Sequence, residues 1–318
     1  MTKKVPANSK YLLPQAGGKY LVDGGLETTL IFEEGLELPH FAAFTCLNDA
    51  GQREVLRRYF CPFLEIAKEY GVGFVLETPT WRASQDWGQR LGYSDASLAD
   101  ANREAVRFVE SIRVSDVGQG VPIVLSGCLG PRGDGYQPGE SMTQDQARSY
   151  HESQMAVLFE AGVGMITAAT LNQSREGIGI AMAARDLGVP VVLSFTLETD
   201  GRLPSGESLA DVIREIDKVT EDYVSYFGIN CAHPTHFEDL FPGSPGWLQR
   251  IRSVRGNASK MSHEELDAAT ELDSGNPDEF GADYERLRQH ATHLNVLGGC
   301  CGTDHRHVRA VAERWLEV

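Results

Sequence analysis

Short runs of apolar, β-branched residues alternate along this chain with longer stretches whose apolar positions recur every three or four residues. The short runs are 20–25 (YLVDGG), 72–78 (VGFVLET), 122–127 (PIVLSG), 163–169 (VGMITAA), 190–197 (PVVLSFTL), 223–231 (YVSYFGINC), 249–255 (QRIRSVR) and 294–299 (LNVLGG). Most are continuously apolar rather than alternating, as parallel strands covered on both faces are. The seventh is the weakest, because it carries three arginines. Between the runs, Leu56, Tyr59, Phe60, Phe63, Leu64 and Ala67 mark a helix over 53–70. Thr143 with Gln146 reads as a capping box, and Gly162 as the glycine that ends the same helix. Ser97 and Ser208 read as further N-caps. Strands alternating with helices over this length predict an α/β fold, a single (β/α)8 barrel spanning 19–318 behind a flexible tail, 1–18. The alternative is an open doubly wound sheet, which the lack of G-x-G-x-x-G after the first run disfavours. The polar stretch 260–283 reads as an insertion after the seventh strand.

Composition narrows the partners. The chain has 318 residues, 42% hydrophobic, with a formal charge of −16. That charge argues against nucleic acid and anionic membrane, both of which reward clustered Lys and Arg. No run of 18 apolar residues suggests a membrane span, and the basic N-terminus lacks the apolar stretch of a signal peptide. Six cysteines are scattered through the sequence, without the density of a disulfide framework. The expected compartment is therefore the cytoplasm. The pattern carries no signal for an oligomeric state.

Three of the cysteines fall where a barrel does its chemistry. Cys231 closes the sixth run, and Cys300 and Cys301 follow the eighth, so all three belong at the carboxyl-end rim. Cys46, Cys61 and Cys128 read instead as inert thiols. Three thiolates with one open position suit a catalytic zinc ion, and Gly298, Gly299 and Gly302 would let the backbone bend so that two successive cysteines reach it. A strained vicinal disulfide and ordinary core cysteines remain as alternatives. An all-sulfur site is electron-rich, which makes it a poor activator of water. It suits a substrate thiol, which it would hold deprotonated yet nucleophilic. That is the chemistry of alkyl transfer to sulfur.

The blocks GGCCGTDHRHV and GINCAHP, with LVDGGLETTL, LETPTWRAS, SGCLGPRGDGY and PVVLSFTLETDGRLPSGES in the same order, resemble the homocysteine S-methyltransferases from about residue 20 to 311. That family includes the betaine-dependent enzyme and the homocysteine-binding module of cobalamin-dependent methionine synthase. The resemblance implies a zinc-dependent (β/α)8 barrel with Cys231, Cys300 and Cys301 as metal ligands. It implies a homocysteine pocket formed by Asp23, Gly24, Gly25, Glu77 and Thr78, with Asn230 supporting the ligand loop. The implied reaction moves a methyl group from a sulfonium donor (S-methylmethionine or S-adenosylmethionine), or from a quaternary ammonium, to the homocysteine thiolate on zinc. Methionine is the product, and no protein base is needed. The implied partners are a small-molecule thiol acceptor and a methyl donor.

One position departs from the family. Many relatives carry a Glu-Thr after the fourth strand whose glutamate holds the homocysteine ammonium. Here MITAATLNQS places Ala169 there. Either another acid compensates, with Glu27 and Glu77 as the rim candidates, or the acceptor is a different thiol. A non-catalytic zinc- or thiol-binding barrel is the third reading, and a Cys300–Cys301 redox pair lacks C-x-x-C spacing. Trp81 and Tyr136 are candidates for holding a cationic donor, although packing is the plainer account of both. His305 and His307 are expected at the start of the last helix, in solvent, and the RGD at 132–134 is read as coincidence.

Overall fold

The structure, a computed structural model, describes residues 14, 17–139, 142–243 and 246–316. Each of the eight apolar runs forms a strand: β1 (Tyr20–Leu21), β2 (Gly73–Glu77), β3 (Ile123–Leu129), β4 (Met165–Leu171), β5 (Val191–Phe195), β6 (Tyr226–Asn230), β7 (Ile251–Gly256) and β8 (Val296–Gly299). Neighbours pair in parallel and in sequence order, and β8 closes on β1. The open-sheet alternative falls with that closure. Strand β1 is shorter than expected because residues 22–25 leave the ladder to line the mouth, with Val22 N–H still bonded to the Leu297 carbonyl at 2.8 Å.

Tyr20, Val22, Val75, Val124, Met165, Val192, Tyr226 and Val296 fill the interior layer. Tyr20 pairs in register with Gly73, where any Cβ would meet the tyrosine ring. A larger apolar layer lies between the strands and the surrounding helices.

The helices start where short polar side chains can cap them. Helix Ala50–Glu69 carries the expected apolar face and is capped by Asp49, which accepts from Gly51 N and Gln52 N at 2.9 Å. Thr143 and Gln146 form the capping box of Gln144–Ala161, and Gly162 ends it at φ 115°. Ser208 caps Leu209–Thr220. Ser97 is a correction: the N-cap of Asp95–Arg113 is Ser94, and Ser97 is the reciprocal partner three residues in. The link from β6 to β7 is a second one. Among the described residues it is made of 3-10 turns rather than an α-helix, beginning at Pro234. Prolines at 234 and 242 remove the amide donors that a longer helix needs. The polar stretch 260–283 is more than an insertion. It holds the short helix His263–Ala268 and then starts Pro277–Arg288, the barrel's own helix after β7.

Of the tail expected over 1–18, residues 1–13, 15 and 16 lie outside the described residues. Pro14 and Gly18 each accept from Asn295 Nδ2 at 2.9 Å. Among the described residues no helix is long and apolar enough to cross a membrane.

Candidate metal and substrate site

The strand ends of β6 and β8 bring the three cysteines together. Their sulfurs lie within 4.8 Å of one another. Those of Cys231 and Cys300 are in bonding contact, and Cys301 Sγ stands 4.0 Å from Cys231 Sγ. The vicinal alternative is therefore not realised, since the bonded pair spans two strands and Cys301 is free. Tetrahedral zinc with sulfur bonds of about 2.3 Å sets its sulfurs roughly 3.8 Å apart. The 4.0 Å between Cys231 and Cys301 suits such an ion, whereas the bonded Cys231–Cys300 pair must be reduced and opened before all three sulfurs could hold it.

Local backbone aims these sulfurs. Cys231 takes φ 55°, a left-handed conformation unusual outside glycine. Its carbonyl accepts from His263 Nε2 at 2.7 Å and from Thr196 Oγ1 at 3.0 Å. Thr170, also left-handed at φ 62°, reaches Cys231 Sγ at 3.7 Å. Asn230 accepts from Thr170 N at 2.9 Å, and its Nδ2 donates to Cys300 Sγ at 4.0 Å. Of the three glycines expected to bend the cysteine turn, only Gly302 has positive φ, 77°. Gly298 and Gly299 stay in the strand. Gly25 matters through space rather than angle, because a Cβ there would meet the Cys300 carbonyl at 2.6 Å.

Below and beside the sulfurs lies a charged floor. Arg255, at the end of β7, donates to Asp23 Oδ1 at 2.7 Å, to Glu77 Oε2 at 2.5 Å and to the Gly299 carbonyl at 3.1 Å. Tyr59 donates to the other Asp23 oxygen at 3.2 Å. Asp23, Glu77 and Arg255 together leave one net negative charge. Burial pushes Asp23 up to about 6 against the pull of Arg255, with Glu77 adding repulsion. Glu27 lines the same cavity and forms no ion pair among the described residues. Burial, helped by Asp23, pushes it up to about 7. Ala169 also lines the cavity, and it borders a void of about 10 Å³ shared with Glu77 and Arg255. Arg255 was missed in the sequence. A charged residue ending an otherwise buried barrel strand was the available signal, and it had counted only as a weakness of the strand.

The cavity above encloses about 180 Å³. Thr78 lines it with its hydroxyl 2.6 Å from that of Thr80. Gly24 lines it too, at a point where a Cβ would meet the Thr303 carbonyl oxygen at 2.5 Å. The aromatic rings at the mouth are already engaged. Trp81 donates to the Ala169 carbonyl at 3.2 Å, and Arg82 lies over its ring at 3.9 Å. Tyr136 stacks on His263 with centroids 4.2 Å apart, and its hydroxyl is 3.6 Å from Cys301 Sγ. Phe41, at φ 59° and 48% exposed, is the aromatic left uncovered at the rim. His305 is exposed as expected. His307 is not: it is buried, with Nδ1 at 3.0 Å from Asp304 Oδ1 and Nε2 at 2.8 Å from the Ser274 carbonyl. Neither histidine joins the cysteine cluster.

Comparison with known proteins shows the family and the fold. The family model described as homocysteine S-methyltransferase matches residues 20–315. Homocysteine S-methyltransferase 4 of Zea mays is 24% identical, over 96% of this chain and 91% of the relative. The selenocysteine Se-methyltransferase of Brassica oleracea var. italica is also 24% identical, over 96% and 91%. The oxidized form of the Escherichia coli homocysteine methyltransferase MmuM superposes with TM-score 0.74 at 18% identity, covering 93% of this chain and 96% of that one. Its metallated form superposes with TM-score 0.71, also at 18% identity, covering 93% and 96%. The chain belongs to the homocysteine S-methyltransferase family.

Proposed function

We propose that this protein transfers a methyl group from a cationic sulfonium or quaternary ammonium donor to the thiol of homocysteine, giving methionine. The observation that carries the reading is the convergence of Cys231, Cys300 and Cys301 on one side of a cavity whose floor is a carboxylate pair. As thiolates, these three cysteines would hold one zinc ion, whose contribution is to keep an acceptor sulfur deprotonated at neutral pH. The acceptor thiolate displaces the donor: a carbon–sulfur bond forms, the methyl–donor bond breaks, and its electron pair leaves with a neutral sulfide or amine. No protein base takes part. The chain's own residues position the reactants. Asp23 and Glu77, set by Arg255, receive the acceptor ammonium. Gly24, Gly25 and Thr78 shape the wall beside it. Asn230 holds the turn that carries Cys300, and Tyr136 sets its hydroxyl beside Cys301.

A second reading keeps the chemistry and changes the thiol. Ala169 is the observation that favours it, since no carboxylate occupies that point of the wall. One assay separates the readings. Reduced, zinc-loaded protein is mixed with homocysteine and, in turn, S-methylmethionine, S-adenosylmethionine and betaine. Methionine from one donor, lost in Cys301→Ser, supports the first reading. Absence of methionine from all three, in protein that still binds one zinc, removes homocysteine as their acceptor.

A further inference from the structure

Two buried guanidiniums line the cavity, and they are served very differently. Arg255 has two carboxylates and a carbonyl. Arg82, only 5% exposed, has neither carboxylate. Its guanidinium is sandwiched between the rings of Trp81 and Trp87, 3.9 Å from each centroid. Among the described residues its one hydrogen bond runs from Nη1 to the Gly133 carbonyl at 2.8 Å, its buried Nε has no partner, and no acid forms an ion pair with it. Asp134, which contributes to its field, spends Oδ1 on the backbone N–H groups of Tyr136 and Gln137. Burial lowers Arg82 to about 10, so it remains charged at neutral pH.

A buried charge is normally paired, because desolvation is repaid only by an ionic or hydrogen-bonding partner. Two indole faces return part of that cost and, more importantly, fix the plane of the fork. What the sandwich leaves unmet are in-plane N–H donors, the geometry that receives a carboxylate. We propose that Arg82 is a carboxylate-binding residue of this cavity, taking the carboxylate of one of the two methyl-transfer substrates. The assignment rests on reading the cavity as a methyl-transfer site. A zwitterionic onium donor and an amino-acid thiol both carry the required group.

Calorimetry decides between them, one ligand at a time so that no turnover occurs. Reduced, zinc-loaded wild type, Arg82→Lys and Arg82→Gln are each titrated with S-methylmethionine and its primary amide, and with homocysteine and its primary amide. Wild type is expected to bind the acid of one pair about 10- to 100-fold more tightly than the amide, the range of a charge-assisted hydrogen bond. Arg82→Gln abolishes that ratio and Arg82→Lys retains part of it. Tryptophan emission from the sandwich shifts with the acid in wild type and not in Arg82→Gln. Collapse of the ratio in the donor pair assigns the donor carboxylate, and collapse in the acceptor pair assigns the acceptor. Wild type that prefers neither acid, or binds none of the four, overturns the proposal whatever the variants do. So does an acid preference that survives Arg82→Gln. Acid-selective binding without methionine formation would leave Arg82 in place and remove the transfer reaction instead.

Discussion

Single residues decide the charge of this pocket. Removing the guanidinium in Arg255→Met would leave Asp23 and Glu77 facing one another, buried and uncompensated. A broken buried ion pair costs about 3–5 kcal/mol, so urea unfolding should show a loss of that size, with part recovered in Arg255→Met/Glu77→Gln. The pH response follows from two carboxyls held above their ordinary range, Asp23 at about 6 and Glu27 at about 7. As pH rises through these values both groups ionise, so KM for homocysteine should fall between about pH 5.5 and 8. In Glu27→Gln the upper half of that fall should vanish. Stability runs the other way. Between the ordinary carboxylate range and pH 7 the folded state keeps protons that the unfolded chain has lost, so these two groups stabilise less as pH rises.

At the scale of elements, the site depends on how β6, β8 and the segment after β1 end. Strand β8 gives way to the cysteine turn, which packs against the α-carbon of Gly25. In Gly25→Ala the new methyl would press on backbone, which cannot swing aside. The expected outcome is a protein with native circular dichroism whose zinc content, by atomic absorption after reduction, falls well below one per chain. The helix His263–Ala268 has a comparable hold from above. His263 binds the Cys231 carbonyl and stacks on Tyr136, so two rim loops meet at one side chain. His263→Ala should raise KM for both substrates more than it lowers the unfolding midpoint.

For the whole molecule, the proposed ligands lie 69 residues apart in sequence, at the ends of β6 and β8 with β7 between them. A metal bound only by the folded barrel stabilises it by mass action, about 2.7 kcal/mol at 100 times its dissociation constant. Chelation of reduced protein should therefore lower Tm by several degrees, and zinc should restore it. A Tm indifferent to chelator, in protein shown to have lost its metal, would contradict a metal linking these two strand ends.

Much of this was legible before any coordinates. The eight strands, their parallel order and the shared rim of Cys231, Cys300 and Cys301 follow from apolar period and from thiols at strand ends, both local properties of the chain. The caps at Thr143 and Ser208 were equally local. Ser97 went wrong by three residues because both serines of a capping box carry the same signal. The partners of Arg255 and Arg82 could not be read. The first joins β7 to residues 232 and 178 positions away, and the second is defined by a partner it lacks. His307 was misplaced for the same reason, since its burial comes from Ser274 and Phe280, on segments distant in sequence. Sequence alone determined the barrel and the sulfur cluster, because periodicity and strand-end position are encoded within a few neighbouring residues. Only tertiary structure decided which charges are satisfied, because pairing and desolvation depend on groups that closure of the barrel brings together.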